Sequence, residues 1–129
     1  MHNNNSKNGN QENFSQLEIP AMTKLYELYQ LTHSLIMRFP KHERYSLGEK
    51  LECTILEAME YIVFGNAQSK NFKDGFIIKA NAKVELLKIL FRLALNIGAI
   101  DAKGYLRTQE MVQETGKMLG GWIKYLKSN

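Results

Sequence analysis

The chain has 129 residues, enough for one domain with a sizeable core, and its 44% hydrophobic and 23% charged content is ordinary for a folded globular protein. Its single cysteine, Cys53, excludes an intrachain disulfide and a cysteine-based zinc site. The net charge of +4 comes from residues 70–129, which contain eleven basic and five acidic side chains. A basic C-terminal half indicates either a polyanionic partner or a solvated lysine-rich surface.

The N-terminal segment is a polar tail. Its first 16 residues, MHNNNSKNGNQENFSQ, cannot bury a core, so we predict a disordered tail over 1–17 and one domain over 18–129. The tail lacks the apolar stretch of a signal peptide. No apolar run in the chain approaches the roughly 20 residues that span a bilayer. We therefore predict a cytoplasmic protein without membrane contact.

Two amphipathic helices follow the tail. The first is predicted over residues 20–38, with Pro20 in its first turn and Pro40 just beyond its end. The second is predicted to begin near Ser46, which forms a capping box with Glu49, and to end at Gly65 and Asn66. Their predicted inward residues are Met22, Leu25, Tyr26, Tyr29, Thr32, Leu35 and Ile36, and then Leu47, Leu51, Ile55, Ala58, Met59, Ile62 and Val63.

A third and a fourth helix complete the domain. The third is predicted over residues 74–97 with Gly98 ending it, and the fourth from an N-cap at Asp101 to residue 126. Apolar residues cover so wide an arc of the third helix that it should bury more than one face. The inward residues are Ile77, Ala80, Val84, Leu87, Phe91 and Ala94 in the third helix, which has a near second stripe of Leu86, Leu90, Leu93 and Ile97, and Leu106, Val112, Thr115, Leu119, Trp122, Ile123 and Leu126 in the fourth.

These four helices, their short connections and the lack of strand-like alternation predict an all-α fold. The fold class is an up-down-up-down antiparallel four-helix bundle.

The sequence offers no catalytic or metal-ligating constellation. The usual enzyme of this architecture, a di-iron carboxylate protein, needs Glu-x-x-His on two helices, and no glutamate here has a histidine at that spacing. His33 and His42 are expected at or near the surface, His2 falls in the tail, and Cys53 is expected to be a small buried hydrophobe. The carboxylates Glu49, Glu52, Glu57 and Glu60 are expected to form a solvated face. We predict no enzyme activity, no metal and no cofactor.

Basic residues on the third helix point to binding instead. Lys79 with Lys83, and Lys88 with Arg92, are spaced i,i+4, so each pair projects on one side of the helix. The second pair lies within the apolar segment LLKILFRLA, where cations are expected to border an interface or to contact phosphate. The alternative is that they extend into solvent without a specific partner.

Three glycines interrupt the fourth helix in the segment ETGKMLGGWIKYL. They are Gly116, Gly120 and Gly121, and each costs about 1 kcal/mol relative to alanine in a helix interior. The segment has no preceding strand and no following Lys-Ser/Thr, so it is not a phosphate loop. Since Gly116 and Gly120 share one side of the helix, we predict that the glycines seat it against a neighbouring helix and that Trp122 fills the space beside them.

Three segments together resemble a known family. RFPKHERYSLGEKLECTILEAMEYI, KVELLKILFRLALNIGAI and ETGKMLGGWIK are similar to the accessory variability determinant (Avd) proteins of diversity-generating retroelements, over about residues 18–127. The resemblance implies a non-catalytic bacterial or phage protein that forms a homopentameric barrel of four-helix bundles. Its basic surface would engage the reverse transcriptase of the same retroelement and the template-repeat RNA, or an RNA/DNA hybrid, in mutagenic cDNA synthesis.

The resemblance also orders the candidate contact residues. The family carries basic residues in the middle of its third helix, which implies Lys88 and Arg92 as first contacts with polymerase or RNA. Lys at position 88, where family members carry Arg, can still meet phosphate but loses bidentate geometry. Lys79 and Lys83 come second, followed by Lys41 and Arg44 between the first two helices and Lys117 and Lys124 on the fourth. The alternative is the related group encoded in ribosomal-RNA intervening sequences, structural or interaction proteins of unclear role.

Overall fold

Four long helices build the protein. The computed structural model describes the backbone of residues 9–128 and the side chains of residues 18 and 20–128. The helices are α1 (Gly9–Ile36), α3 (Glu49–Asn66), α4 (Lys70–Asn96) and α5 (Ala102–Lys127), and a short turn, α2 (Lys41–Glu43), with a π-helical segment (Arg44–Gly48) joins α1 to α3. The described residues contain no strand, so the predicted all-α class is confirmed. Within them, no helix has the length and apolarity of a membrane span.

Contacts between side chains fix the arrangement of the helices. Polar side-chain contacts cross every interface between neighbouring helices: His33 with Glu52 between α1 and α3, Glu57 with Lys83 between α3 and α4, Arg92 with Tyr105 between α4 and α5, and Glu114 with Lys24 between α5 and α1. A second contact between α1 and α3, Glu18 with Asn66, shows that residue numbers rise on one helix as they fall on the other. The structure is therefore the predicted antiparallel four-helix bundle, with α1 diagonally opposite α4.

The core lies along the axis of this bundle. The first apolar stripe predicted for the third helix is buried in full, from Ile77 to Ala94 on α4. Trp122 is the largest fully buried side chain, and burial of a large apolar side chain contributes about 1.5–3 kcal/mol. Three buried threonines satisfy their hydroxyls within their own helices, because Thr54, Thr108 and Thr115 donate to backbone carbonyls three or four residues earlier.

The helices begin earlier than the sequence predicted. α1 begins at Gly9 rather than near residue 20, so Pro20 lies inside the helix and not in its first turn. Residues 1–8 of the predicted tail, with His2, lie outside the described residues, and the remainder of that tail, 9–17, belongs to α1. α4 begins at Lys70, four residues before the predicted start, with Ser69 in extended conformation at its N-cap. Helix ends at Asn66 and Asn96 agree with the prediction to within a residue.

The predicted capping box of Ser46 and Glu49 does not form in the connection between α1 and α3. Ser46 lies inside the π-helical segment, and its hydroxyl donates to the carbonyl of His42 and to Glu43 rather than capping a helix. The chain is already helical from Lys41, so the amides at this point have backbone partners and need no cap. The connection between α4 and α5 is as predicted, since Gly98 has a φ of 79° and the Asp101 carboxylate accepts from the Gly104 amide at 2.8 Å.

Several residues at the margins of the predicted core are exposed. Tyr26, Val63 and Leu106 were predicted to face inward, yet their side chains are 60%, 53% and 65% exposed. Cys53, predicted to be buried, is exposed as well. Tyr26 and Val63 lie at the edge of the apolar stripes of α1 and α3, whereas Cys53 and Leu106 lie on the sides of α3 and α5 that face away from the buried residues. The near second stripe of α4 is only partly buried, because Leu86 and Leu90 are half-buried while Leu93 and Ile97 are exposed.

Candidate nucleic-acid interface

The two basic pairs of α4 lie on opposite flanks of that helix. Lys79 and Lys83 contact side chains of α3, whereas Arg92 contacts Tyr105 of α5 and Lys88 lies beside it. Each pair shares a side of the helix, as the i,i+4 spacing predicted. The structure therefore holds two separate basic surfaces and not a single continuous one.

The flank toward α5 forms an open groove of about 400 Å³. Arg92 Nη1 donates to the Tyr105 hydroxyl at 3.4 Å, which is long for a hydrogen bond, and Lys88 Nζ lies 3.1 Å from Glu85 Oε2. Both cations are accessible and border apolar side chains. The groove is lined by Lys88, Ile89, Arg92, Leu93, Asn96, Tyr105 and Gln109. Such a mixture of cations, amides and apolar side chains suits a phosphate backbone or an acidic protein surface.

The flank toward α3 engages its cations within the chain. Lys83 Nζ lies 3.0 Å from Glu57 Oε1, and Lys79 Nζ lies over the rings of Tyr61 and Phe76 at 5.9 and 5.5 Å from their centroids. Lys83 is therefore the less available of the two for an outside anion. Glu57 is not simply part of a solvated face, because it forms this ion pair.

The remaining predicted contact residues are scattered over the surface. Lys41 is exposed before the π-helical segment, and Lys117 and Lys124 are exposed on α5. Arg44 has a structural contact, since its guanidinium donates to the carbonyls of Met37 at 2.9 Å and Phe39 at 3.3 Å. These bonds satisfy carbonyls in the turn that follows the C-terminal end of α1. The structure therefore does not bring Lys41, Arg44, Lys117 and Lys124 together with the Lys88 and Arg92 groove.

The glycines of α5 do not pack as predicted within the chain. A Cβ at Gly116 would only touch Val84, at 3.9 Å, and a Cβ at Gly120 or Gly121 would meet nothing within 4 Å. The prediction that all three seat α5 against a neighbouring helix of the same bundle is therefore wrong. Trp122 is fully buried, as predicted, but on the side of α5 that faces the core. A role of the exposed glycines in contact between copies stays a prediction.

A polar cluster occupies the end of the bundle where α3 meets α4. Asn66 Nδ2 donates to Glu18 Oε2 at 3.1 Å. Burial raises the pKa of the Glu18 carboxyl above its ordinary value, and the charge of Lys73 acts in the opposite direction. Burial likewise lowers the pKa of Lys73, against the charge of Glu18. This cluster lies apart from the groove between α4 and α5.

Histidines and carboxylates do not converge on a metal site in the described part of the chain. No group of three His, Cys, Asp or Glu side chains there could hold an ion. His33 and His42 are exposed, as predicted, and His33 Nδ1 lies 2.7 Å from Glu52 Oε2.

Sequence reasoning missed the residues that complete the groove. Tyr105, Gln109 and Asn96 join Lys88 and Arg92 only through the packing of α5 on α4. Residues 92 and 105 lie on different helices, so no periodic spacing in the sequence predicts that they are neighbours. One signal was present for the separation of the basic pairs, because nine residues between Lys79 and Lys88 correspond to two and a half helical turns and so to opposite sides of the helix.

The fold and this surface define a small four-helix-bundle protein with cations on both flanks of one helix. A family model described as bAvd-like matches residues 21–126, and the chain belongs to this family. The match confirms the resemblance to Avd proteins, which are accessory, non-catalytic proteins of diversity-generating retroelements. No curated protein matches the chain.

Proposed function

We propose that this protein is the accessory subunit of a diversity-generating retroelement that binds its reverse transcriptase and template RNA in the cytoplasm. The observation that carries the proposal is the groove in which Lys88 and Arg92 of α4 face Tyr105 of α5. Family membership supports the role, and the groove supplies a surface for it.

The chemistry of the groove suits a polyanion. The Arg92 guanidinium has five N–H donors, of which one points to the Tyr105 hydroxyl, so the others remain for phosphate oxygens. Lys88 adds a second positive charge one turn away, since its contact with Glu85 is a surface ion pair worth about 1 kcal/mol or less. Asn96 and Gln109 add amide groups beside them. Each phosphate that is neutralised releases counterions, which makes binding dependent on salt.

Assembly into a homopentamer is part of the proposal. The outer side of α4 exposes a run of large aliphatic side chains, Ile78, Ile89, Leu93 and Ile97, that the single bundle leaves uncovered. Exposed apolar surface of this kind is typical of protein contacts. The uncovered backbone at Gly120 and Gly121 on α5 offers a place where a second copy could approach closely.

Charge reversal at the groove tests the binding site. Lys88→Glu with Arg92→Glu should weaken association with the reverse transcriptase and with template RNA by about 100-fold or more, because two attractive contacts become repulsive. The RNA affinity of this variant should also depend less steeply on salt, by about one unit of slope for each phosphate that the variant no longer neutralises. Affinity is measured by fluorescence anisotropy over a series of salt concentrations, association by co-purification, and helicity by circular dichroism.

The matched control is a second Lys and Arg pair at the same spacing. Lys103→Glu with Arg107→Glu reverses two exposed cations on α5 that do not line the groove. We expect this control to retain most of the binding. Equal losses in both variants would show a non-specific effect of net charge, and unchanged binding in the Lys88 and Arg92 variant would refute the site. A reverse-transcriptase gene next to near-identical repeats in the flanking DNA would separate this function from that of the ribosomal intervening-sequence group.

A further inference from the structure

An exposed aromatic cluster lies where α3 packs against α4 near the bundle end. Its rings in contact are Tyr61 and Phe64 on α3 and Phe76 on α4, and the exposed Phe72 lies one turn before Phe76 on the same side of α4. The Phe64 ring meets Tyr61 and Phe76 edge to face, with centroids 6.5 and 6.4 Å apart and interplanar angles of 87° and 80°. Phe72 is 66% exposed and Phe64 48% exposed, so two large rings present much of their surface to the solvent.

The local packing of the two helices builds this cluster. Gly65 is buried, and a Cβ at this position would lie 3.0 Å from Phe76 Cβ, so its absence lets α3 and α4 approach closely at the point where the rings meet. Phe72 and Phe76 are spaced i,i+4 and therefore share one side of α4. The close packing of α3 on α4 therefore brings the rings of the two helices together.

A cation forms part of the same surface. Lys79 Nζ lies 5.5 Å from the Phe76 centroid and 5.9 Å from the Tyr61 centroid, within the range of a cation–π contact. An apolar protein partner that covered these rings would also have to remove this ammonium from water, which is costly because the ring contacts replace only part of its hydration. A partner that carries both flat aromatic groups and negative charge would contact the rings and also pair with the Lys79 ammonium.

The charges around the cluster favour the same kind of partner. Glu57 is paired with Lys83 at 3.0 Å, so neither contributes a free charge. Glu60, one turn before Phe64, is the exposed carboxylate on that side of α3. Residues 70–129, which include α4, carry eleven basic against five acidic side chains. The long-range field is therefore attractive to a polyanion.

We propose that the aromatic cluster binds unpaired bases of a single nucleic-acid strand, which stack on Phe72 and Phe64 while Lys79 contacts the adjoining phosphate. Base stacking on aromatic side chains is how many single-strand-binding surfaces hold their ligand. The inference rests on the proposed nucleic-acid-binding function and adds a second contact region, on the other flank of α4 from Lys88 and Arg92. The groove with those cations holds the backbone, and the cluster distinguishes single-stranded from paired segments.

Alanine substitution of the exposed rings tests the inference on the full chain. Phe72→Ala and Phe64→Ala are compared with Tyr26→Ala, which removes an aromatic ring of similar exposure, 60%, on α1. The probes are a labelled single-stranded oligoribonucleotide of mixed sequence and a blunt duplex of the same length. Affinity is measured by fluorescence anisotropy at several salt concentrations, and oligomeric state by sedimentation velocity.

We expect each Phe variant to bind the single strand about 10-fold more weakly, within the range measured for loss of one stacking partner. Affinity for the duplex should stay unchanged, because its bases are not available for stacking. The salt dependence should also stay unchanged, because a phenyl ring releases no counterions. Tyr26→Ala should behave as wild type with both probes.

The alternative outcomes separate this inference from the proposed function. Wild-type binding by both Phe variants, with a loss in the Lys88 and Arg92 variant, would overturn the inference and leave the function standing. An altered sedimentation coefficient with unchanged RNA affinity would overturn it too, since the cluster would then be a contact between copies. Loss in the Phe variants alone would support the cluster and remove the groove from the proposed function. Absence of any RNA binding by the wild type would refute both.

Discussion

Replacing Gly120 by alanine should make the fold more stable. The position lies in the interior of α5, and a Cβ there would meet no atom of the chain within 4 Å. The substitution therefore adds no steric strain, and it replaces the residue of low helix propensity by the best helix former, a gain of about 1 kcal/mol. Part of that gain comes from the smaller entropy of the unfolded chain. For a domain of this size, about 1 kcal/mol raises the thermal midpoint by about 4 °C.

The assay is thermal and urea-induced unfolding followed by far-UV circular dichroism, with sedimentation velocity on the same samples. A lower midpoint at an unchanged oligomeric state would refute the reasoning, because it would require a close contact at Gly120 that the structure lacks. Gly120→Leu completes the test, since its long side chain also points out of the bundle. We expect that variant to fold, and to assemble less than wild type if the glycines face a second copy. An unchanged assembly would reject a role of Gly120 in contact between copies.

Two further substitutions test the packing and the electrostatics of the bundle end. Gly65→Ala, the same exchange at a buried position, should lower the free energy of unfolding by about 1–2 kcal/mol, because the new Cβ would lie 3.0 Å from Phe76 Cβ; wild-type stability in urea would contradict this. Glu18→Gln should raise the urea midpoint at neutral pH. Burial raises the pKa of Glu18 above its ordinary value, so the folded state favours the protonated carboxyl and ionisation lowers stability as the pH rises through the folded pKa. The advantage of the Gln variant should vanish below the ordinary carboxyl pKa of about 4.3, and an advantage that persisted there would contradict the assignment to charge.

The centre of the fold was predictable because α4 packs against two neighbours. A helix covered on two sides needs an apolar stripe with regular spacing, and all six residues of that predicted stripe are buried. The capping of the connection between α4 and α5 was also predictable, for a different reason. The positive φ at Gly98 and the side-chain cap at Asp101 depend on residues within a few positions, so the sequence contains the whole interaction.

The margins of each helix face were not predictable from periodicity. Val63 fits the apolar pattern of α3 but is 53% exposed, and Tyr26 fits that of α1 but is 60% exposed. Periodicity places residues around one helix axis, and only the positions of the neighbouring helices decide where burial stops. Cys53 shows a different limit, because its residue type favours burial while the periodicity of α3 places it opposite the buried residues.

For the candidate site, residue spacing predicts which side chains share one side of a helix but not which other helix lies beside them. An i,i+4 interval establishes that Lys88 and Arg92 share a side of α4, but the identity of the helix beside them comes from the tertiary fold. The separation of the two basic pairs has a functional consequence. The apolar outer surface of α4, which the proposed assembly would cover, separates Arg92 on the α5 side from Lys79 on the α3 side. Substitutions at the two flanks share no side-chain contact, so their effects on RNA binding should add in free energy, as expected for independent sites. A much smaller combined loss would mean that one continuous segment of RNA bridges both flanks.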